Sequence, residues 1–184
     1  ARLKLGSACL EDLDYDEARG IDRLLIRELA TCGWVAKKQG IVVCGATGTG
    51  KTFLACAFGQ HALRRRHKVL YRRTSRLFEE LTLARADGSY AKALARLARV
   101  DVLILDDWCV VPLTASERKD MSEIMEDRYG EHATIVISQR PPEQWHAQIG
   151  DPTLADAICD RMLSNAHRIV LRGPSRRKEV SSQT

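Results

Sequence analysis

Apolar residues recur along this chain in two alternating rhythms. Short unbroken runs stand at Ile41-Val42-Val43-Cys44, Val69-Leu70-Tyr71, Val102-Leu103-Ile104-Leu105, Thr134-Ile135-Val136-Ile137 and Ile169-Val170-Leu171. Each is a strand's length and each reads as a strand covered on both faces. Between them apolar residues return at helical spacing. Ile21, Leu24, Leu25 and Leu29 do so before the first run, and Leu54, Ala55, Phe58 and Ala62 share one face of a helix over 51–66. Two further helices, 75–86 and 89–99, are parted by the turn Asp87-Gly88. Thr114-Ala115-Ser116-Glu117 is a capping box opening a helix to about 129, and Asp151-Pro152 opens another to about 163. Strands alternating with amphipathic helices predict an α/β domain: a three-layer sandwich with a five-stranded parallel sheet and helices on both faces.

Composition narrows this picture. At 184 residues, 45% hydrophobic and 29% charged, the chain is one globular domain with enough surface to bury a full core. No apolar run is long enough to span a membrane, and the N-terminal stretch turns acidic where the apolar region of a leader would sit. The expected setting is cytoplasmic, with no membrane partner. The chain opens without Met, so residues 1–184 are expected to be a fragment: a core with an N-terminal extension over 1–19 and a basic tail over 172–184. Six scattered cysteines form no CxxC and no Cys/His pair at zinc spacing, so they read as small hydrophobes of a reducing compartment, with no structural metal. A net charge of +5 suits an acidic partner such as nucleic acid without requiring one.

The first run ends in Gly45-Ala46-Thr47-Gly48-Thr49-Gly50-Lys51-Thr52, which fits the phosphate-binding spacing G-x-x-x-x-G-K-S/T and continues into Phe53. Gly45, Gly48 and Gly50 allow backbone N–H groups to turn inward around phosphates where a Cβ would clash, and the helix opening at Lys51 adds its positive dipole end. Lys51 supplies a point charge for the β- and γ-phosphates, and the Thr52 hydroxyl suits Mg2+. The motif lies between an apolar strand and an amphipathic helix, as this mechanism requires. ATP and Mg2+ are the expected ligands.

The third run ends in Asp106-Asp107. Adjacent carboxylates at the end of a buried strand repel one another unless a cation is near, and Mg2+ is that cation. Asp106 is expected to hold the metal and Asp107 to orient or deprotonate the attacking water; the plainer alternative makes Asp107 a cap or a solvated loop residue. Ser138-Gln139 ends the fourth run. If that strand lies between the Gly45 strand and the Asp106 strand, Gln139 points at the γ-phosphate; otherwise it is an ordinary polar strand end.

With these residues in hand, the chain resembles the AAA+ ATPases of the helicase-loader and transposition-helper group, most of all the IstB-like helpers encoded by bacterial insertion sequences. The segments that carry the resemblance are CLEDLDYDEARGIDR, GATGTGKTFLACAFG, LARVDVLILDDW, PLTASERKDMSEIMEDRYG, SQRPPEQWHAQIGDPTLADAICDRM and NAHRIVLRG. The resemblance implies an initiator-like AAA+ core, ATP-dependent self-assembly on duplex DNA, and delivery of a target site to a partner transposase. This chain is expected to depart from the family in lacking its N-terminal helical region and, with only residues 172–184 after the last strand, a full lid domain. The resemblance also implies Arg161 as an arginine finger acting on a neighbour's nucleotide, with Arg168 in reserve. The sequence adds that no carboxylate lies three or four residues from Arg161 on its helix, although a solvated arginine is the alternative. The segment after the second strand engages DNA in the initiator-like group, so Arg72, Arg73 and Arg76 are the expected phosphate contacts. Arg64-Arg65-Arg66 reads as a solvated helix end, and Arg176-Arg177-Lys178 is a third basic run. Trp34, Trp108 and Trp145 read as core. The rival readings are a DnaC-type loader acting on a replicative helicase and, from another class, a nucleotide-switched DNA scaffold that does not hydrolyse ATP, motivated by Asp107 standing where many related ATPases have Glu.

Overall fold

The computed structural model describes residues 3–13 and 19–175. The outer parts of the expected extension and tail, including Arg176-Arg177-Lys178, lie outside the described residues. After a 3-10 turn at Leu10–Asp12 come α1 (Arg23–Ala30) and α2 (Gly33–Ala36). The repeating part follows as β1 (Gly40–Gly45), α3 (Lys51–Arg64), β2 (Val69–Arg73), α4 (Thr74–Asp87), α5 (Tyr90–Ala98) and β3 (Val102–Trp108). It continues through α6 (Ala115–Arg128), β4 (Ala133–Ser138), a 3-10 turn at Pro142–Gln144, α7 (Trp145–Ile149), α8 (Pro152–Leu163) and β5 (Ala166–Leu171).

All five strands are parallel, in the order β2-β3-β4-β1-β5. The alternation of side chains along each strand divides the core in two. Ile41, Val43, Val102, Ile104, Ile135 and Ile137 pack with Leu54, Ala55 and Phe58 of α3 and with α1 and α2. Val42, Leu103, Leu105 and Val136 point the other way, into a cluster with Leu77, Phe78, Met121, Ile124, Ile158 and Met162 from α4, α6 and α8. The three expected layers are present, and the expected strands are all found, each longer by two or three residues.

Local signals account for the element ends. Thr114 Oγ1 accepts from the Glu117 amide while the Glu117 carboxylate accepts from the Thr114 amide, closing the capping box of α6. Asp151 caps α8 through the Leu154 amide. Gly88, at φ +80°, ends α4 in the left-handed conformation that glycine favours. α2 and α7 had no periodicity long enough to announce them; each is anchored by a buried tryptophan. Trp34 donates to the Leu29 carbonyl and Trp145 to the Arg140 carbonyl, and Trp145 meets Trp108 edge to face at 6.2 Å. All three tryptophans are core residues. All six cysteines are free thiols, five of them buried, and burial pushes the Cys44 thiol up to about 11.

One arginine is wholly interior. Arg128, at the end of α6, is 0% exposed. It donates to the carbonyls of Leu97, Val100 and Ala133 and to Thr134 Oγ1, joining the end of α5, the loop after it and the start of β4. Burial lowers its pKa to about 10.

Candidate nucleotide site

The sheet order decides where the chemistry gathers. β4 lies between β1 and β3, so the carboxyl ends of all three strands open on the same edge of the sheet. In open α/β sheets ligands bind at that edge. The loop after β1 leads into α3, and its glycines adopt the backbone that the spacing requires. Gly45, Gly48 and Gly50 have φ of +151°, +86° and +95°. A Cβ on Gly45 would lie 2.4 Å from the Leu171 carbonyl oxygen, and one on Gly48 would meet Ser175.

A cavity of about 500 Å³ opens over this loop. Residues 47–53 line it together with Arg73, Asp106, Asp107 and Gln139. Lys51 lies in it with its ammonium donating to the Ala46 carbonyl at 2.8 Å, and Thr49 Oγ1 donates to the same oxygen. The cavity is also lined by the apolar side chains of Leu13, Ile21, Phe53 and Leu171, which suit a flat base more than a phosphate.

Asp106 is 1% exposed. Its Oδ2 accepts from Thr52 Oγ1 at 3.0 Å and from the Tyr71 hydroxyl at 2.5 Å, and its Oδ1 accepts from the Asp107 amide at 2.9 Å. Burial and the Asp106 carboxylate together push the Tyr71 phenol well above its ordinary value, so Tyr71 remains a donor. A carboxylate and a hydroxyl adjoining at a phosphate loop form an oxygen donor set that fits Mg2+.

β3 is bulged where it carries the two carboxylates, and both line the cavity. Leu105 pairs with Val136 and Trp108 with Ser138, so Asp106 and Asp107 together stand opposite Ile137 alone. Asp107 takes φ +59° and Cys109 φ +55°, both left-handed and neither glycine. Residues held there cost about 1–3 kcal/mol each and persist where neighbours fix them. Ser138 Oγ donates to the Trp108 carbonyl, and Thr74 Oγ1 donates to the Asp106 carbonyl, so the bulge is pinned from both adjoining elements. The carboxylate of Asp107 is thereby turned into the cavity, where Arg73 Nε meets its Oδ2 at 3.2 Å.

Gln139 follows β4 and lies on the cavity, its Oε1 accepting from Thr47 Oγ1 at 2.9 Å. The condition on which its expected position rested, β4 between β1 and β3, is met.

Three residues expected to meet DNA phosphates are engaged within the chain. Arg72 pairs with Glu80 at 3.0 Å and Arg76 with Glu79 at 2.7 Å, while Arg73 pairs with Asp107 at the cavity. Arg161 is remote from this cavity. It lines a small cleft with Lys38, Gly40, Thr134 and Asn165, beside the amino ends of β1 and β4. Its guanidinium meets Glu126 Oε2 at 2.5 Å and donates to the Ala157 carbonyl. The carboxylate lies on α6, thirty-five residues away in sequence, where a search along the helix of Arg161 could not find it.

Sequence reasoning missed two cations of the cavity. Arg19 is buried and donates to the Thr49 carbonyl at 3.0 Å, and Lys4 reaches the cavity from the N-terminal segment. Both come from parts of the chain without periodicity, and no local spacing ties them to the loop.

The chain matches the family described as IstB-like ATP binding protein over residues 1–184. It is 49% identical over 168 residues to the insertion sequence ATP-binding protein y4pL of Sinorhizobium fredii, covering 91% of this chain and 69% of the relative. It is 47% identical over 141 residues to the ATP-binding protein of insertion sequence IS1162 of Pseudomonas fluorescens, covering 77% and 61%. The chain thus spans about two thirds of the length of these relatives. Among solved structures it is similar to DnaI, with a TM-score of 0.78, 24% identity and 96% and 94% of the two chains covered. It is also similar to AMPPCP-bound DnaA from Aquifex aeolicus, with a TM-score of 0.76, 21% identity and 96% and 54% covered. At these identities the likeness speaks for the fold alone, a parallel α/β sheet between helices. The match along the whole chain and the identity to insertion sequence proteins make this chain a member of the IstB-like ATP-binding protein family.

Proposed function

We propose that this chain is the ATPase core of a transposition helper, which binds Mg·ATP, assembles on duplex DNA and delivers that DNA to a transposase. The observation that carries the ATPase part is the convergence of Lys51, Thr52, Asp106, Asp107 and Gln139 on one cavity. The loop amides and the α3 dipole bind phosphate oxygens, and Lys51 leaves the Ala46 carbonyl to meet their charge. Thr52 and Asp106 would hold Mg2+, which would supply positive charge to the phosphate oxygens. Asp107 accepts the proton of the attacking water once Arg73 lets its carboxylate go, and Gln139 orients that water from the other side. Arg161 serves the nucleotide of a neighbouring subunit, released from Glu126 as the two chains meet.

The DNA and transposase parts rest on the relatives, which are proteins of insertion sequences. That supports transposition over helicase loading. The net charge of +5 supports a sequence-independent, salt-sensitive grip on the phosphate backbone, which Arg72, Arg73 and Arg76 would join on leaving Glu80, Asp107 and Glu79. The test is sedimentation and electron microscopy with ATP, with ADP and without nucleotide, on duplex and on single-stranded DNA. Assembly on duplex DNA that requires ATP and weakens steeply with salt is expected. Assembly that is indifferent to nucleotide, or confined to single strands, would overturn the proposal.

A further inference from the structure

The N-terminal segment over residues 3–13 is docked along α3. Leu3 packs against the core cluster, and its Cδ2 lies 3.2 Å from where a Cβ on Gly59 would stand. Gln60 Nε2 donates to the Gly6 carbonyl at 3.1 Å, and Ala8 and Leu10 are 1% and 5% exposed. Between these anchors the segment carries Lys4, whose ammonium lies 4.0 Å from Asp106 Oδ2. Among the described residues it is the cation in ion-pair distance of that carboxylate, and Oδ2 is the same oxygen that Thr52 and Tyr71 address.

A carboxylate 1% exposed needs a compensating charge. Thr52, Tyr71 and the Asp107 amide supply dipoles only, and Arg73 is engaged with the neighbouring Asp107. From this arrangement we infer that Lys4 is a further residue of the metal side of the site. Its ammonium holds the place of the divalent ion at Asp106 and is displaced when that ion binds, so metal loading is coupled to release of the segment over residues 3–13. The lysine is suited to this. Its side chain is 36% exposed, on a flexible stem that can swing into solvent, whereas Asp106 is fixed by three hydrogen bonds. The inference rests on the reading of Asp106 as a metal ligand.

The test uses Mn2+ as the probe, with saturating ADP, its affinity read by electron paramagnetic resonance on the whole chain. Removing a like charge 4.0 Å from the ligand oxygen, as in Lys4→Ala, should tighten Mn2+ by about five- to tenfold. Lys4→Arg should behave as the parent chain. Hydrogen exchange gives a second readout: amides of residues 3–13 should exchange faster in the parent chain on adding Mn2+, and equally fast with and without Mn2+ in Lys4→Ala. Unchanged or weaker Mn2+ binding in Lys4→Ala, or a segment whose exchange ignores the metal in the parent chain, would overturn the inference. Asp106→Asn separates the two layers. If that change leaves Mn2+ affinity intact, the metal-site reading itself fails; if it abolishes binding while Lys4→Ala changes nothing, only the role of Lys4 fails.

Discussion

Arg128 offers a quantitative trial of how this fold is held. Replacing it with Met keeps much of the volume but strands the groups it serves. Its bonds to the Leu97 and Ala133 carbonyls and to Thr134 are buried, whereas that to the Val100 carbonyl is only partly so and water can replace it. A buried acceptor left without a partner costs about 1–3 kcal/mol, so the two buried carbonyls set a range of about 2–6 kcal/mol. Relief runs the other way. The guanidinium is desolvated enough to lower its pKa to about 10, and no carboxylate stands within ion-pair distance among the described residues. That places the expected loss near 3 kcal/mol, out of the ~5–15 kcal/mol typical of a domain. For a chain of this size such a loss lowers Tm by about 6–12 °C. Urea titration by circular dichroism, with calorimetry alongside, measures both at neutral pH. Well below its Tm the variant should bind ATP as the parent does, because Arg128 lines the cleft at the amino ends of the strands, away from the phosphate loop. A loss under about 1 kcal/mol with an unchanged urea slope would refute the reasoning, since it would mean that the stranded carbonyls found water or other donors.

Two further predictions concern the nucleotide. Lys51→Ala should remove nucleotide binding and ATP-dependent assembly, read by a fluorescent ATP analogue; retained tight binding would sink the phosphate-loop assignment. Arg161→Ala should leave ATP binding intact and depress hydrolysis by about a hundredfold or more in the assembly, the lower end of what one preorganised donor to the transition state contributes. Mixing that variant with Asp107→Ala should restore part of the phosphate release, because a neighbour can then supply whichever residue is missing. No recovery would remove the main support for a role in trans.

The legible parts of this protein are those whose signal is contiguous. The spacing from Gly45 to Thr52 needs no partner strand to be recognised, and an apolar run ending in Asp106-Asp107 carries its own electrostatic argument. Even Gln139 could be stated as a condition, because its role depended on one fact of sheet order. What stayed hidden arises between elements. The bulge at Asp106 and Asp107, which leaves both on the cavity, is a mismatch of register between β3 and β4, visible only once the two are paired. The partners of Arg73 and Arg161 are carboxylates from other elements, so no helical spacing could report them. Lys4 and Arg19 reach the cavity from positions outside the strands and α-helices, where no period marks them in the sequence.

A sheet in which every strand runs the same way has a front and a back, and this chain divides its charged groups between them. The phosphate loop stands at the front and Arg161 at the back. If the guanidinium of one copy completes the pocket of the next, contact can only be head to tail, never the self-matching kind that yields a symmetric pair. Such a stack has direction, and unless it closes into a ring it has two unlike ends. One terminal copy then holds a nucleotide that no neighbour can help it break. An open array of n chains would carry n nucleotides and n − 1 finished sites, and would keep one slow clock at its edge.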